Sequence, residues 1–184
     1  MPFRSMALKG FERTYLPEFV YGGIDGVITT FAVVAGAIGA NLSSSIILIL
    51  GFANLFADGF SMATSNYLST RSQVELHKGH KDEKLFNTEA KHPLKTAAAT
   101  FVSFIAIGLI PLLSFVLSLI FPSLYSNKFL YSIILTAIAL LMVGSVKGLL
   151  LNKHPVMSAL QTLIIGGIAA TLAFLVGYFL QGLA

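Results

Sequence analysis

The sequence predicts an all-α membrane protein of five transmembrane helices, and three observations point there. Of its 184 residues, 55% are apolar and only 11% charged, with a mean hydropathy of +0.82, whereas soluble domains carry nearer a quarter of charged residues. Five apolar stretches follow one another: Phe19–Ala40, Ser44–Leu68, Leu94–Phe121, Phe129–Leu151 and Val156–Leu180, each 22 to 28 residues long. About 20 apolar residues suffice for a helix to cross the hydrocarbon core. Lys and Arg lie almost entirely on one side of these stretches. There is no Cys, which excludes disulfides, thiolate metal sites and Cys nucleophiles.

Ahead of the first span, Phe11, Tyr15 and Phe19 recur every four residues beside Lys9 and Arg13, a pattern that fits a short helix lying on the membrane surface and equally a polar tail with a few aromatics. Span one carries Asp25, is too long for a signal h-region and lacks a small-x-small cleavage site, so it is not a cleavable signal. Its Gly22-x-x-x-Gly26 motif is a close-packing face. In span two, Asn54, Asp58, Ser61, Met62 and Ser65 share an arc of about 100°, a polar track through an apolar helix. The connection 69–93 holds Glu75, His77, His80, Asp82, Glu83, Glu89 and His92. His77 and His80 are three apart, a spacing that suits weak metal capture, and a solvated charged loop has the same composition. Spans three, four and five contain no acid; Gly22, Gly23, Gly26, Gly36 and Gly39 in span one and Pro111 in span three are candidate flexing points, and packing explains them equally well. Residues 1–184 therefore form a single membrane domain with the loop 69–93, leaving no room for a second soluble domain.

Eleven of the twelve basic residues fall in the N-terminal tail, in or beside the connection 69–93, or around the last connection, and only Lys128 lies opposite. The positive-inside rule then predicts a cytoplasmic N-terminus and, with five spans, a C-terminus outside. The basic pI reflects topology and implies no nucleic-acid partner.

Asp25 and Asp58 are the only acids well inside the apolar spans. A charge at the bilayer centre costs roughly 2.5–3.5 kcal/mol even on the lenient insertion scale, so a functional role is the default reading for both. At about 1.5 Å per residue, Asp25 and Met62 each lie about 9 Å inside their spans, and Thr29 and Asp58 about 15 Å. Glu18 is two turns before Asp25 and within about 20° of its face. Carboxylates suit hard divalent cations; a thioether beside them adds softness that Mg²⁺ and Ca²⁺ cannot use, which points to Fe²⁺, Mn²⁺, Co²⁺ or Zn²⁺. Asn54, Ser61 and Ser65 also suit simple helix-to-helix hydrogen bonding, and a lone Met is ordinarily core filler.

The run Tyr21-Gly-Gly-Ile-Asp25-Gly26-Val-Ile-Thr29-Thr30, followed by Ala57-Asp58-Gly59-Phe-Ser61-Met62-Ala, resembles the vacuolar iron transporter family. The resemblance is close from Tyr21 to Ser72, and the five-span layout covers the rest. It implies a five-helix membrane dimer in which the residues matching Asp25 and Met62 contribute to the metal pathway at the dimer interface, with Glu18 matching an acid near the cytoplasmic entrance. Asp58 departs from the plant members, which have a small residue there. The plant members also carry a long Glu-rich metal-binding domain where this chain has only residues 69–93, so storage-type buffering of many ions is not expected.

The resemblance implies a secondary transporter rather than an enzyme, exporting Fe²⁺ and Mn²⁺ from the cytoplasm by proton antiport, with the metal as substrate and no cofactor. The residues supply a reason: a carboxylate in a low-dielectric site tends to hold a proton until a metal displaces it. One protomer offers two or three donor atoms where a divalent transition metal takes about four to six. A homodimer joined through spans one and two would double the set, with Gly22 and Gly26 letting the copies approach. The expected partners are divalent metal ions, protons, the lipid bilayer and a second copy of the chain, in a prokaryotic cytoplasmic membrane. A passive divalent-cation channel has the same polar track and stays open as an alternative. An intramembrane aspartyl protease would need Gly-x-Gly-Asp and Tyr-Asp signatures that Gly23-Ile24-Asp25 does not supply.

Overall fold

A computed structural model describes residues 11–79 and 91–183, with the backbone alone for 11–14 and 77–79. All regular structure among the described residues is helical: α1 Phe11–Gly39, α2 Ser44–Gly79, α3 Pro93–Gly108, α4 Ile110–Ile120, a 3-10 helix Pro122–Asn127, α5 Lys128–Leu150, α6 Pro155–Leu180 and a terminal 3-10 turn Gln181–Leu183. Four helices are long and apolar enough to cross a membrane, and α3 with α4, bent by 46° at their junction, supplies a fifth.

The short connections are built by matching caps. At the end of α1 the N–H of Leu42 bonds the carbonyl of Ala37 and that of Asn41 bonds Ile38, while Asn41 takes a φ of 57°. The end of α5 repeats the arrangement with Lys153 to Gly148, Asn152 to Leu149 and Asn152 at φ 52°. Each is a Schellman motif in which Asn accepts the left-handed position. Pro93 and Pro155 then open α3 and α6 at the first helical turn, where a missing N–H costs nothing.

Three expectations change in detail. The surface helix expected before span one is continuous with it, since α1 runs unbroken from Phe11 through Pro17, and Tyr15 is buried instead of facing lipid. Helix α2 continues eleven residues beyond Leu68, because its charged extension is supported by an i, i+4 pair between Arg71 and Glu75 at 2.8 Å. Span three is broken at Leu109, two residues before Pro111. A proline has no N–H for the Ile107 carbonyl and disfavours helical geometry in the residue before it. The break is held in place by Ser132, whose hydroxyl donates to the Pro111 carbonyl at 2.6 Å.

Helix α1 runs through the centre of the bundle, packing most extensively on α3 and α6 and also on α2 and α5. A Cβ on Gly26 would lie 2.5 Å from the Phe104 carbonyl oxygen, and one on Gly22 would lie 2.6 Å from the Thr100 carbonyl oxygen. The Gly22/Gly26 face is therefore occupied by α3 of the same protomer and is not available to a second copy of α1. Small residues indicate a close approach but not whose helix approaches. Gly36 and Gly39 serve α6 in the same way.

Apolar side chains fill the bundle around the C-terminal half of α1: Val34, Ala37, Ile47, Leu112 and Phe115 form one buried cluster, and Val27, Ala139 and Leu140 another. Toward the N-terminal end of α1 the packing turns polar. Asn66 of α2 donates to the Thr100 hydroxyl at 2.6 Å, and Thr70 and Thr96 share a buried bond of 3.2 Å. The half around the C-terminal end of α1 is thus filled by hydrocarbon, and the half around its N-terminal end contains buried polar side chains bonded to one another.

Candidate functional site

On the polar side of that division, α1 and α2 diverge around a cleft of about 430 Å³ lined by Pro17, Glu18, Tyr21, Met62, Ser65, Asn66 and Ser69. Three residues expected from helical spacing, Glu18, Met62 and Ser65, thus share one cleft although they come from different helices. On α2 the lining follows the helical repeat: Met62, Ser65, Asn66 and Ser69 stand at i, i+3, i+4 and i+7.

Asp25 stands two turns along α1 from Glu18, about 10 Å away by helical rise, and Asp58 stands one turn along α2 from Met62, so both lie further from the cleft mouth. Each is half-buried, and the two carboxylates are within electrostatic reach of one another. Two like charges in a poorly solvated place repel, and a shared proton or a shared cation relieves them. Thr29 is half-buried and its hydroxyl donates to the Asp25 backbone carbonyl at 2.8 Å, so its proton is committed to its own helix while its oxygen lone pairs stay free.

The remaining expected residues do not gather here. Ser61 is exposed on α2. Asn54 is half-buried with an Nδ2 that has no hydrogen-bond partner, and it does not line the cleft. Glu75 is exposed and paired with Arg71, the solvated alternative. His77 belongs to the backbone of α2, and its side chain lies outside the described residues, as does the whole of His80. Among the described residues no three His, Asp or Glu side chains come together as a metal cluster.

Spacing along the helices did not identify the partner of Glu18. Its Oε1 is 2.6 Å from Lys91 Nζ, across 73 positions of sequence, and its Oε2 is buried with no partner. Asn66 and Ser69 were within reach of the sequence, since the polar track continues through them at the same spacing. Tyr21, 63% exposed, separates this cleft from a second, more apolar groove against Lys147, Leu150 and Leu151 of α5 and its end.

The VIT family model matches residues 16–87 and 78–178, nearly the whole of the described chain. The chain belongs to the VIT family. The two matched segments overlap at 78–87, at the end of α2 and in the connection to α3. Among relatives, a protein named vacuolar iron transporter from Plasmodium berghei (strain Anka) is 27% identical over 228 residues, covering 92% of this chain and 84% of that protein. One of the same name from Centaurea cyanus is 29% identical over 210 residues, covering 85% and 84%. Vacuolar iron transporter 1 of Eucalyptus grandis is 28% identical over 210 residues, covering 85% and 83%. These alignments are longer than the chain itself, so the VIT relatives carry residues that have no counterpart here. The family resemblance read from Asp25-Gly26 and Ser61-Met62 thus extends across all six α-helices.

Proposed function

We propose that this VIT-family protein exports divalent transition metal, Fe²⁺ and also Mn²⁺, from the cytoplasm across a cytoplasmic membrane in exchange for protons, working as a homodimer. The observation that carries the reading is the α1–α2 cleft, which gathers Glu18, Met62 and Ser65, with the half-buried carboxylates of Asp25 and Asp58 further along the same two helices. The donor set is oxygen-rich with one thioether, which suits borderline first-row ions. Metal enters past Glu18, is held by Asp25 and Met62, and must release any proton that Asp25 or Asp58 carries. Protons arriving from the far side reload the carboxylates and expel the ion, which couples the two fluxes. Metal transport itself is supported by the relatives, which are named as iron transporters.

The dimer completes the coordination. With no three-residue metal cluster inside one protomer among the described residues, a two-fold axis beside the exposed edge of α1 and α2 would bring two carboxylates and two thioethers around one ion.

The test is reconstitution into proteoliposomes with a pH-sensitive dye inside and an imposed proton gradient. Adding Fe²⁺ or Mn²⁺ should move metal inward and dissipate the gradient together, at a fixed ratio. Metal flux that leaves the proton gradient intact would replace the antiporter with the channel reading.

A further inference from the structure

The ion pair at the cleft mouth has a consequence for which cations enter. Glu18 is only 12% exposed and Lys91 38%, with Nζ and Oε1 2.6 Å apart, the short range of a charge-assisted bond. Lys91 is delivered there by the backbone. The N–H of His92 donates to the Tyr15 hydroxyl at 3.1 Å, and Tyr15 is one turn before Glu18 on α1. The chain entering α3 is therefore laid along α1 at two adjacent points. Glu18 Oε2, meanwhile, is buried without a partner, an arrangement that ordinarily carries a free-energy cost.

We propose that Lys91 is a tethered cation that fills the Glu18 position of the cleft until a divalent ion displaces it, so that the mouth discriminates doubly from singly charged cations. This deepens the transport reading and rests on it. An ammonium satisfies one carboxylate oxygen, whereas a metal ion at the mouth would engage both Oε1 and the orphaned Oε2. At equal distance a dication gains twice the Coulomb energy of the ammonium it replaces, and K⁺ or Na⁺ gains none. The ammonium is held by a short charge-assisted bond and by the backbone contact of the next residue, neither of which a hydrated monovalent ion reproduces, so a monovalent ion competes poorly. Once displaced, the half-exposed Lys91 turns its head into water at little cost.

Two measurements test this. In the wild-type protein in detergent, acetylation of Lys91 by an amine-reactive ester is read by mass spectrometry against the exposed Lys153. Saturating Mn²⁺ should raise the Lys91 signal several-fold, and K⁺ at equal ionic strength should not. In proteoliposomes, Lys91→Gln should lower the half-saturating Mn²⁺ concentration about fivefold, the factor that ~1 kcal/mol for a partly exposed pair converts to. The same variant should become inhibitable by about 0.15 M K⁺. Lys91→Arg should behave as wild type, and Lys91→Gln should have no effect in a Glu18→Gln background. An unchanged or raised half-saturating concentration in Lys91→Gln, or a Lys91 whose acetylation ignores Mn²⁺, would overturn the displacement. A wild type in which Mn²⁺ exposes Lys91 yet crosses no membrane would instead refute the transport reading and leave the displacement standing.

Discussion

Gly26→Ala and Gly167→Ala make the same chemical change in two helices and should have opposite effects. At Gly26 the new methyl would meet the Phe104 carbonyl oxygen at 2.5 Å and the Phe104 Cα at 3.0 Å. Both atoms belong to the α3 backbone and cannot rotate away, so α1 and α3 must part by nearly 1 Å along their shared face. Overpacking of this kind costs about 1–3 kcal/mol, and the better helix propensity of Ala returns about 0.5–1 kcal/mol. A clash against rigid backbone takes the upper half of the overpacking range, about 2–3 kcal/mol, so the net destabilisation is about 1–2.5 kcal/mol, a fall in Tm of about 2–10 °C for a chain of this size. At Gly167 no atom lies within 4 Å of the added methyl, so only the propensity gain remains and Tm should rise by about 1–4 °C. Thermal loss of helical circular dichroism in detergent is the assay, since the chain has no Trp to report by fluorescence. Equal shifts in the two variants, or a Gly26→Ala protein as stable as wild type, would refute the packing of α1 on α3.

The other predictions concern transport and assembly. Asp25→Asn keeps size and hydrogen bonding but removes the charge, and should abolish metal flux in proteoliposomes while the protein still inserts and elutes as wild type. Met62→Ala should weaken Fe²⁺ and Co²⁺ transport more than Mn²⁺ transport, because the thioether matters most to the softer ions; equal losses would make Met62 a packing residue. A Cys at Thr29, half-buried on α1, should cross-link two copies in membranes if α1 faces the two-fold axis. A Cys at Gly22 should not, being enclosed by Thr100 and Ser103. Asn66→Leu removes the bond to Thr100 and leaves that buried hydroxyl without its outside donor, so it should destabilise by about 1–3 kcal/mol in chemical denaturation.

The site was legible wherever its logic is local to one helix. Rise and rotation per residue are constants, so Glu18 could be set on the face of Asp25 along α1, and Met62 and Ser65 on one face of α2, without knowing the fold. The Lys91–Glu18 pair could not, because nothing periodic links positions 73 apart; that contact depends on how α3 docks. Gly22 and Gly26 were legible as a close approach but not as an approach to α3, since a small-residue stripe carries no information about its partner. The end of α2 was placed too early because an apolar window stops at Leu68, whereas the helix continues through Arg71 and Glu75 on the strength of side-chain pairing and backbone propagation. Pro111 marked the break in span three correctly because its cause, a missing N–H, is written in one residue.

The central placement of α1 bears on how the chain assembles during synthesis. It is the least apolar of the four unbroken spans and the most enclosed, with 56% of its most apolar window buried against 6% for α6. Among the described helices, the earliest in the chain is therefore the one that depends most on neighbours not yet made. Until α3 covers Gly22 and Gly26 and α6 closes on Gly36 and Gly39, its two-faced glycine surface and the carboxylate of Asp25 stand in lipid or in the insertion machinery. Truncated chains ending before α6 should consequently be retained or degraded rather than released as stable intermediates. Substitutions that weaken α1 packing should then show first as low abundance in the membrane, before any change in the behaviour of the molecules that mature.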